Sequence, residues 1–423
     1  MVLKNKDSKN RDGPTSLEHL AIKLTQLVGI FRKGKWATDL KWWNTRSIFD
    51  PAYGYQDGKS LFDDIVQGIL NQNSDMLSRH EVEKRIVFDF LEKQTVNSTE
   101  QEHLYNQSLV DKAKNLVKYL IEFEAWQTID IPIANLWNKS KPFELGHVTF
   151  IGITEDELKK WKDDPVIWSP NTPAVGVLAR VKAPGDRTRA IEYAITQVDL
   201  ALDVLRAFLF PFGSSDTWKI GKVGDIIVST STPIRIDYKT HLSKLGSGAI
   251  QLDLSNHLLI KFPNTQLERI QKLILKTNRT PMESKLVNAI HWLAESTKLD
   301  NNDAKFAKIC FALEALLGSE PEAEELKVRG ITAMLAERAA FVGGKDFEDR
   351  FTIDKQIRKY YGIRSKIVHE GAGNVKSDDI DEFGELTRNL VFDLLIRLDE
   401  LGTTLKDVNK LEDWVKKQRY TLP

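Results

Sequence analysis

One cysteine, Cys310, is all the chain has, and it sits in an apolar stretch without a partner. A disulfide framework and a cysteine-based zinc site are thereby excluded, and a reducing compartment is implied. An excess of either charge is missing too, because Lys plus Arg and Asp plus Glu both come to 60. No global positive field draws in nucleic acid, so any nucleic-acid site has to be built from local charge. Long apolar runs are absent, and the opening segment MVLKNKDSKNRDGP lacks the apolar core of a signal peptide. The expected location is the cytoplasm, with no membrane partner.

Familiar catalytic motifs are lacking as well. FVGGKD contains Gly-Lys but neither the upstream glycine nor the following Ser or Thr of a phosphate-binding loop. RHEVEK has His80 and Glu81 but no second histidine one helical turn on, and GSGAIQ reads as a turn. No Gly-x-Ser-x-Gly elbow is present. The eight histidines are scattered without ligand spacing. If the chain is an enzyme, its natural class is one that needs no metal and no cofactor.

What is present is enough apolar material for an ordered protein of two or three domains: 423 residues, 41% hydrophobic, with ten Trp. The fold class expected is mixed. Residues 1–140 read as a mainly helical region, 141–279 as an α+β domain, and 280–423 as an all-helical bundle. Ser16 is placed to cap a first helix, and Ser60 with Asp63 resembles a capping box before IVQGIL. Between them KWWNTRSIFDPAYGYQDG reads as an aromatic loop, in which Trp42 and Trp43 either anchor packing or line a groove. Two more helices are expected over 74–93 and 100–126.

From residue 141 the pattern turns to alternating and β-branched runs. HVTFIGI, AVGVLARVKA, DIIVSTS, PIRIDY and HLLIKF read as strands, with a helix from Thr188 to Phe208 among them. At NRTPMESKL the boundary is sharp: Thr280 as N-cap, Pro281 at the first helical position and Glu283 three residues after the cap. Beyond it helices are expected over 281–297, 303–317, 322–341, 351–369 and 378–401, the last ended by Gly402.

One of these helices carries an anomaly. At about 100° per residue, Ile353, Ile357, Tyr360, Tyr361, Arg364, Ile367 and Val368 share a side, with a permanent cation near its centre. A guanidinium so placed needs an anion. That anion is either a carboxylate, for which Glu314 in FALEALLG is the obvious candidate, or a phosphate gripped by the arginine fork. His369 follows five residues later, rotated about 140° and lifted about 7.5 Å in a continuous helix. Either the helix ends there, or two copies of the motif face each other. Gly371 and Gly373 mark a C-terminus just beyond, where a histidine is also favoured by the helix dipole.

The run RSKIVH, from Arg364 to His369, resembles the R-x-x-x-x-H signature of the HEPN superfamily of helical RNases, a group common in antiviral defence and toxin systems. AIHWLAES, KICFALEALLGS, KVRGITAMLAERAA and YYGIRSKIVHEGAG follow one another as in its Apea-like branch. The resemblance covers residues 281–405 and leaves the first two-thirds of the chain unassigned. Ser365 stands where many such nucleases carry Asn, Asp or His, and Glu370 stands where Gly is frequent in that branch.

The resemblance implies a C-terminal HEPN-like helical bundle that pairs as a homodimer, so that two Arg and two His line one cleft and RNA is cut without metal. One His369 would take the proton of a ribose 2′-hydroxyl, Arg364 would stabilise the phosphoryl oxygens, and a second histidine would protonate the leaving 5′ oxygen. The products would be a 2′,3′-cyclic phosphate and a 5′-hydroxyl, and DNA could not be a substrate. Glu314 would orient Arg364, with Ser365 beside it. Tyr361 would fill core or stack on a base. Lys355, Arg358, Lys359 and Lys366 form either a local approach for RNA or a solvated helix face. Residues 1–279 would detect a trigger or hold the nuclease off. The expectation is a cytoplasmic endoribonuclease effector in antiviral defence or toxin-like growth arrest. The alternative is a non-catalytic interaction module in which Arg364 pairs with Glu314 and His369 closes a helix.

Overall fold

The computed structural model describes residues 16–33, 56–92, 107–134, 136, 138, 141–152, 175–209, 211–213, 220–222, 226–229, 233–235, 264–318, 330–371, 374–402 and 407–420. Two compact units divide it: residues 1–128 with 182–194, and residues 129–181 with 195–423. The strand expected at HLLIKF, the turn at GSGAIQ and the part of the aromatic loop from 41 to 55 lie outside the described residues, as do 322–329.

The first unit holds α1 (Leu17–Lys33), α2 (Gln56–Asn73), α3 (Arg79–Lys84) running on as a π-helical segment (Arg85–Glu92), and α4 (Gln107–Ile121). Leu20, Leu24, Leu27 and Val28 of α1 recur at helical spacing and are buried against Ile65, Val66 and Ile69 of α2 and Ala113, Val117 and Leu120 of α4. Ser16 Oγ accepts from the His19 amide at 3.3 Å, as its position in the sequence implies. Ser60, by contrast, lies inside α2, which begins a turn earlier, so it is not the cap expected of it. The next helix starts at Arg79, not Ser74. Ser78 caps it by accepting from the Glu81 amide, and Ser78 itself donates from N and Oγ to Asp186.

Strands β1 (Trp126–Ala134), β2 (Phe143–Leu145), β3 (Val148–Gly152), β4 (Val175–Pro184), β5 (Gly221–Lys222), β6 (Ile226–Ser229) and β7 (Pro233–Arg235) form a sheet ordered β2-β3-β4-β1-β6-β7, with β5 against β1. The β2–β3, β3–β4, β1–β5, β1–β6 and β6–β7 pairings are antiparallel. β1 begins where the sequence pattern suggests the end of a helix. Its Ile129, Ile131 and Ile133 alternate onto one buried face, while Asp130 takes both guanidinium arms of Arg180 on β4 at 2.7 Å. Helix α5 (Arg187–Leu209) follows, burying Val198, Leu202, Leu205 and Phe208.

The remaining described elements are helices: α6 (Asn264–Leu275), α7 (Pro281–Thr297), α8 (Asn302–Leu317), α9 (Ile331–Gly343), α10 (Phe347–Glu370), α11 (Ser377–Leu401) and α12 (Val408–Tyr420). The start of α7 is the full capping box: Thr280 Oγ1 accepts from the Glu283 amide at 3.2 Å, and Glu283 accepts from the Thr280 amide at 2.9 Å. Helices α6 and α12 are not among those expected from the sequence. Yet Leu267, Ile270 and Ile274 in α6 and Leu411, Trp414 and Val415 in α12 recur at helical spacing, so the signal for both was there and was missed. Among the described residues no helix is long and apolar enough to cross a membrane.

α11 is held to α5 by a guanidinium and a glycine. Arg388 is buried, donates to the Ala207 carbonyl at 2.7 Å and to Glu385 at 2.7 Å, and lies over the Phe212 ring at 4.6 Å. Gly384 admits that ring, since a Cβ there would fall 2.1 Å from Phe212 Cδ2. Gly384→Ala gains about 1 kcal/mol of helix propensity and loses about 1–3 kcal/mol by overpacking. The expected result is a lower urea-unfolding midpoint. An unchanged or higher midpoint would show that Phe212 moves aside freely.

Candidate functional site

α10 runs unbroken through both residues of the R-x-x-x-x-H motif. Asp346 caps it, accepting from the Asp349 amide at 2.9 Å. It ends at Gly371, whose φ of 75° is open to glycine and costly for other residues, and whose amide donates to Ile367 O at 3.2 Å. Ile357, Tyr360 and Tyr361 are buried. Tyr360 stacks on Phe383 of α11 at 4.6 Å and donates its hydroxyl to Glu382 at 2.8 Å. Burial, reinforced by Glu382, raises its phenol above the usual range.

One turn further, the packing face becomes a small polar cluster. Tyr361 donates its hydroxyl to Glu314 Oε1 at 3.2 Å, and Arg364 Nη2 lies 3.5 Å from the same oxygen. Cys310 precedes Glu314 by one turn on α8, and its thiol is pushed up first by burial and then by the Glu314 charge, which makes it a poor nucleophile. Burial and then Glu314 push the Tyr361 phenol up as well, so this hydroxyl holds its proton and positions the carboxylate. The Arg364 side chain is 33% exposed, at the rim of the seam rather than inside it. Its Nε is buried and makes no hydrogen bond among the described residues. The guanidinium is thus balanced in charge but not satisfied in hydrogen bonding.

The remaining candidates lie elsewhere on α10. His369 and Ser365 are exposed. With α10 continuous, His369 stands about 140° round and about 7.5 Å along from Arg364. Val368, expected on the packing side, is 57% exposed. Of the four basic residues, Arg358 is held by Asp354 at 2.7 and 3.1 Å, and Lys359 by Asp379 at 2.8 Å with Glu382 at 3.6 Å. Lys355 and Lys366 are exposed and have no ion-pair partner among the described residues. Arg358, Gly362, Ser365 and His369 fall within about 60° of arc on the exposed side. A Cβ placed on Gly362 would meet nothing within 4 Å, so this strip is open. Chemically, the cluster can orient an anion at Arg364, and the imidazole that α10 carries toward solvent is that of His369.

Sequence reasoning missed the place of Cys310 in this cluster, although its i, i+4 spacing from Glu314 was the available signal. It also missed a second constellation. Asp203 of α5 with His291 and Glu295 of α7 bring ligand atoms within 4.8 Å of one another. His291 and Glu295 are one turn apart, but Asp203 is remote in the chain and not legible beside them. These groups are already engaged. His291 Nδ1 donates to Asp203 Oδ2 at 2.7 Å, Arg206 donates to Asp203 Oδ1 at 3.1 Å, and Lys298 pairs with Glu295. The network is an ion-pair relay joining α5 to α7.

No protein-family model, curated protein or solved structure matches the chain.

The hydrogen bond to Asp203 raises the His291 pKa above its ordinary value against the opposing pull of burial, with Glu295 adding to the rise and Lys298 subtracting. A raised folded pKa means stabilisation that is fully present below the unfolded value of about 6.5 and lost as pH climbs through the folded value. The stability gap between wild type and His291→Ala is therefore expected to be larger at about pH 6 than at about pH 8.5. Urea-unfolding midpoints measure it, and an equal gap at both pH values would contradict the relay.

Proposed function

We propose that the chain is a metal-independent endoribonuclease of the HEPN type, active as a homodimer in which two copies of α10 bring Arg364 and His369 of each protomer to one cleft. The observation that carries this reading is the state of Arg364. Its contact to Glu314 is long and part of the guanidinium side chain reaches solvent, which leaves donors for a phosphodiester, while the buried Nε is unmet among the described residues. Separation of Arg364 and His369 around the helix gives the second support. One protomer cannot close both on a single phosphate, whereas a symmetric pair can offer the histidine of one copy with the arginine of the other. The open strip at Gly362, Ser365 and His369 suits close approach of a second helix.

In this reading His369 takes the 2′-hydroxyl proton as that oxygen attacks phosphorus, Arg364 neutralises the charge gathering on the phosphoryl oxygens, and the partner histidine protonates the departing 5′ oxygen. Glu314, held by Tyr361, keeps the guanidinium aimed. Lys355 and Lys366 supply the unneutralised charge for the RNA backbone, with Arg358 and Lys359 contributing once their carboxylates yield. Residues 1–279 serve as the trigger-sensing part of a cytoplasmic effector of antiviral defence or growth arrest.

The Glu314 contact also favours a second reading, a helical interaction module in which the pair is purely structural. Cleavage separates the two. Wild type is expected to cut a labelled RNA in EDTA, to leave 2′,3′-cyclic phosphate ends and to spare the 2′-deoxy analogue. Arg364→Ala and His369→Ala are each expected to reduce the rate by about a hundredfold or more. As a partly exposed pair, Arg364–Glu314 is worth about 0–1 kcal/mol, so both variants should stay folded. Cutting by both variants at the wild-type rate would remove the nuclease reading and leave the module.

A further inference from the structure

A cavity of about 680 Å³ opens between α10 and α11, floored by the α9–α10 turn and reached by Gln266 of α6. It is separate from the Arg364 cluster, and its chemistry is independent of the nuclease reading. Three carboxylates line it, and two are occupied. Glu385 holds Arg388 at 2.7 Å, and Asp349 accepts from the Lys345 amide at 3.4 Å. The third, Asp393, makes no hydrogen bond or ion pair among the described residues. Arg397, one turn on, acts on it at a distance, but that guanidinium is turned to Glu400 at 3.5 Å and to the Trp414 ring at 5.8 Å. Lys345 likewise acts only at longer range.

Gly343 keeps the carboxylate uncovered. A Cβ there would press against Leu390 at 3.0 Å, Ile353 at 3.2 Å and Asp393 Oδ2 at 3.3 Å. Ile353, Leu390 and Phe392 give the apolar part of a wall that also holds Gln266, Thr352 and Asn389. Of the two cations in the lining, Arg388 is spent on the Ala207 carbonyl and Glu385, and the Lys345 ammonium stands too far from Asp393 to pair with it. What remains is the half-buried Asp393 carboxylate, without a hydrogen bond or ion pair among the described residues, next to Ile353 and Leu390, the inverse image of an ammonium on a carbon chain.

We propose that this cavity binds a small aliphatic amine, its ammonium paired with Asp393 and its chain laid along Ile353 and Leu390. Burial pushes the Asp393 carboxyl up to about 6, as expected of a carboxylate awaiting a cation, and at about pH 8 it is ionised. Calorimetric titration of the full chain at about pH 8 tests the site with 1,5-diaminopentane, using 1,5-pentanediol and glutarate as neutral and anionic controls of similar length. Wild type is expected to bind the diamine and neither control. Asp393→Asn is expected to weaken binding about tenfold or more. Thr352→Trp, which fills the cavity from an exposed position on α10, is expected to abolish it. Circular dichroism confirms that each variant is folded, and if Asp393→Asn does not fold, Thr352→Trp decides alone. Diamine binding no tighter than that of the diol, binding of glutarate in its place, or folded variants that bind as wild type would each overturn the proposal.

Discussion

A guanidinium at the edge of an apolar helix seam has to be answered by negative charge, and the region around α10 is arranged about that requirement. Glu314 answers Arg364 from α8, and the Tyr361 hydroxyl fixes which oxygen does so. The tyrosine is buried and the arginine is at the rim, so the carboxylate is anchored from the dry side and receptive from the wet one. Below this point Ile357, Tyr360 and Tyr361 hold α10 to its neighbours. Above it the helix projects one more turn, with His369 and Val368 exposed.

Other buried guanidinia in the same unit are satisfied differently. Arg388 donates to Ala207 in the last turn of α5, and Arg338 to Leu317 at the end of α8, at 2.7 Å in each case. Both supply a donor to a carbonyl that the helix end leaves without an intrahelical partner, and both add a carboxylate, Glu385 or Glu412. Arg206 donates twice to the Ile220 carbonyl and once to Asp203. Burial works against the charge of Arg206 and Arg388, and these short bonds offset it. Against that pattern, Arg364 and Arg350 each keep one buried nitrogen without a hydrogen bond among the described residues, and the functional reading centres on Arg364 because it is the one that belongs to the R-x-x-x-x-H run.

The capping box at Thr280 and Glu283, the stop at Gly371 and the stretch of α5 were legible because their causes are local: side chains within one turn satisfy the backbone, and apolar spacing is written in adjacent residues. Ser60 misled because a cap signature inside a helix looks the same as one at its start until the preceding turn is known. β1 misled because Ile129, Ile131 and Ile133 become a strand only when β6 and β4 lie beside them. Glu314 could be nominated from its place on its own helix face, but its distance to Arg364 and the hydroxyl of Tyr361 between them could not.

The sequence by itself determined that a permanent cation shares the side of its helix that carries Ile357 and Tyr360, that this helix stops just after a histidine, and that a caps-and-apolar-period region begins at Thr280. All of these follow from interactions spanning a few residues. Only the tertiary structure decided that Arg364 is half satisfied, that Lys359 pairs with Asp379 while Lys355 and Lys366 have no ion-pair partner among the described residues, and that Asp393 faces a cavity without an ion pair. Those outcomes depend on which charges meet across helices tens of residues apart, and at such separations it is packing, not chain proximity, that chooses the partner.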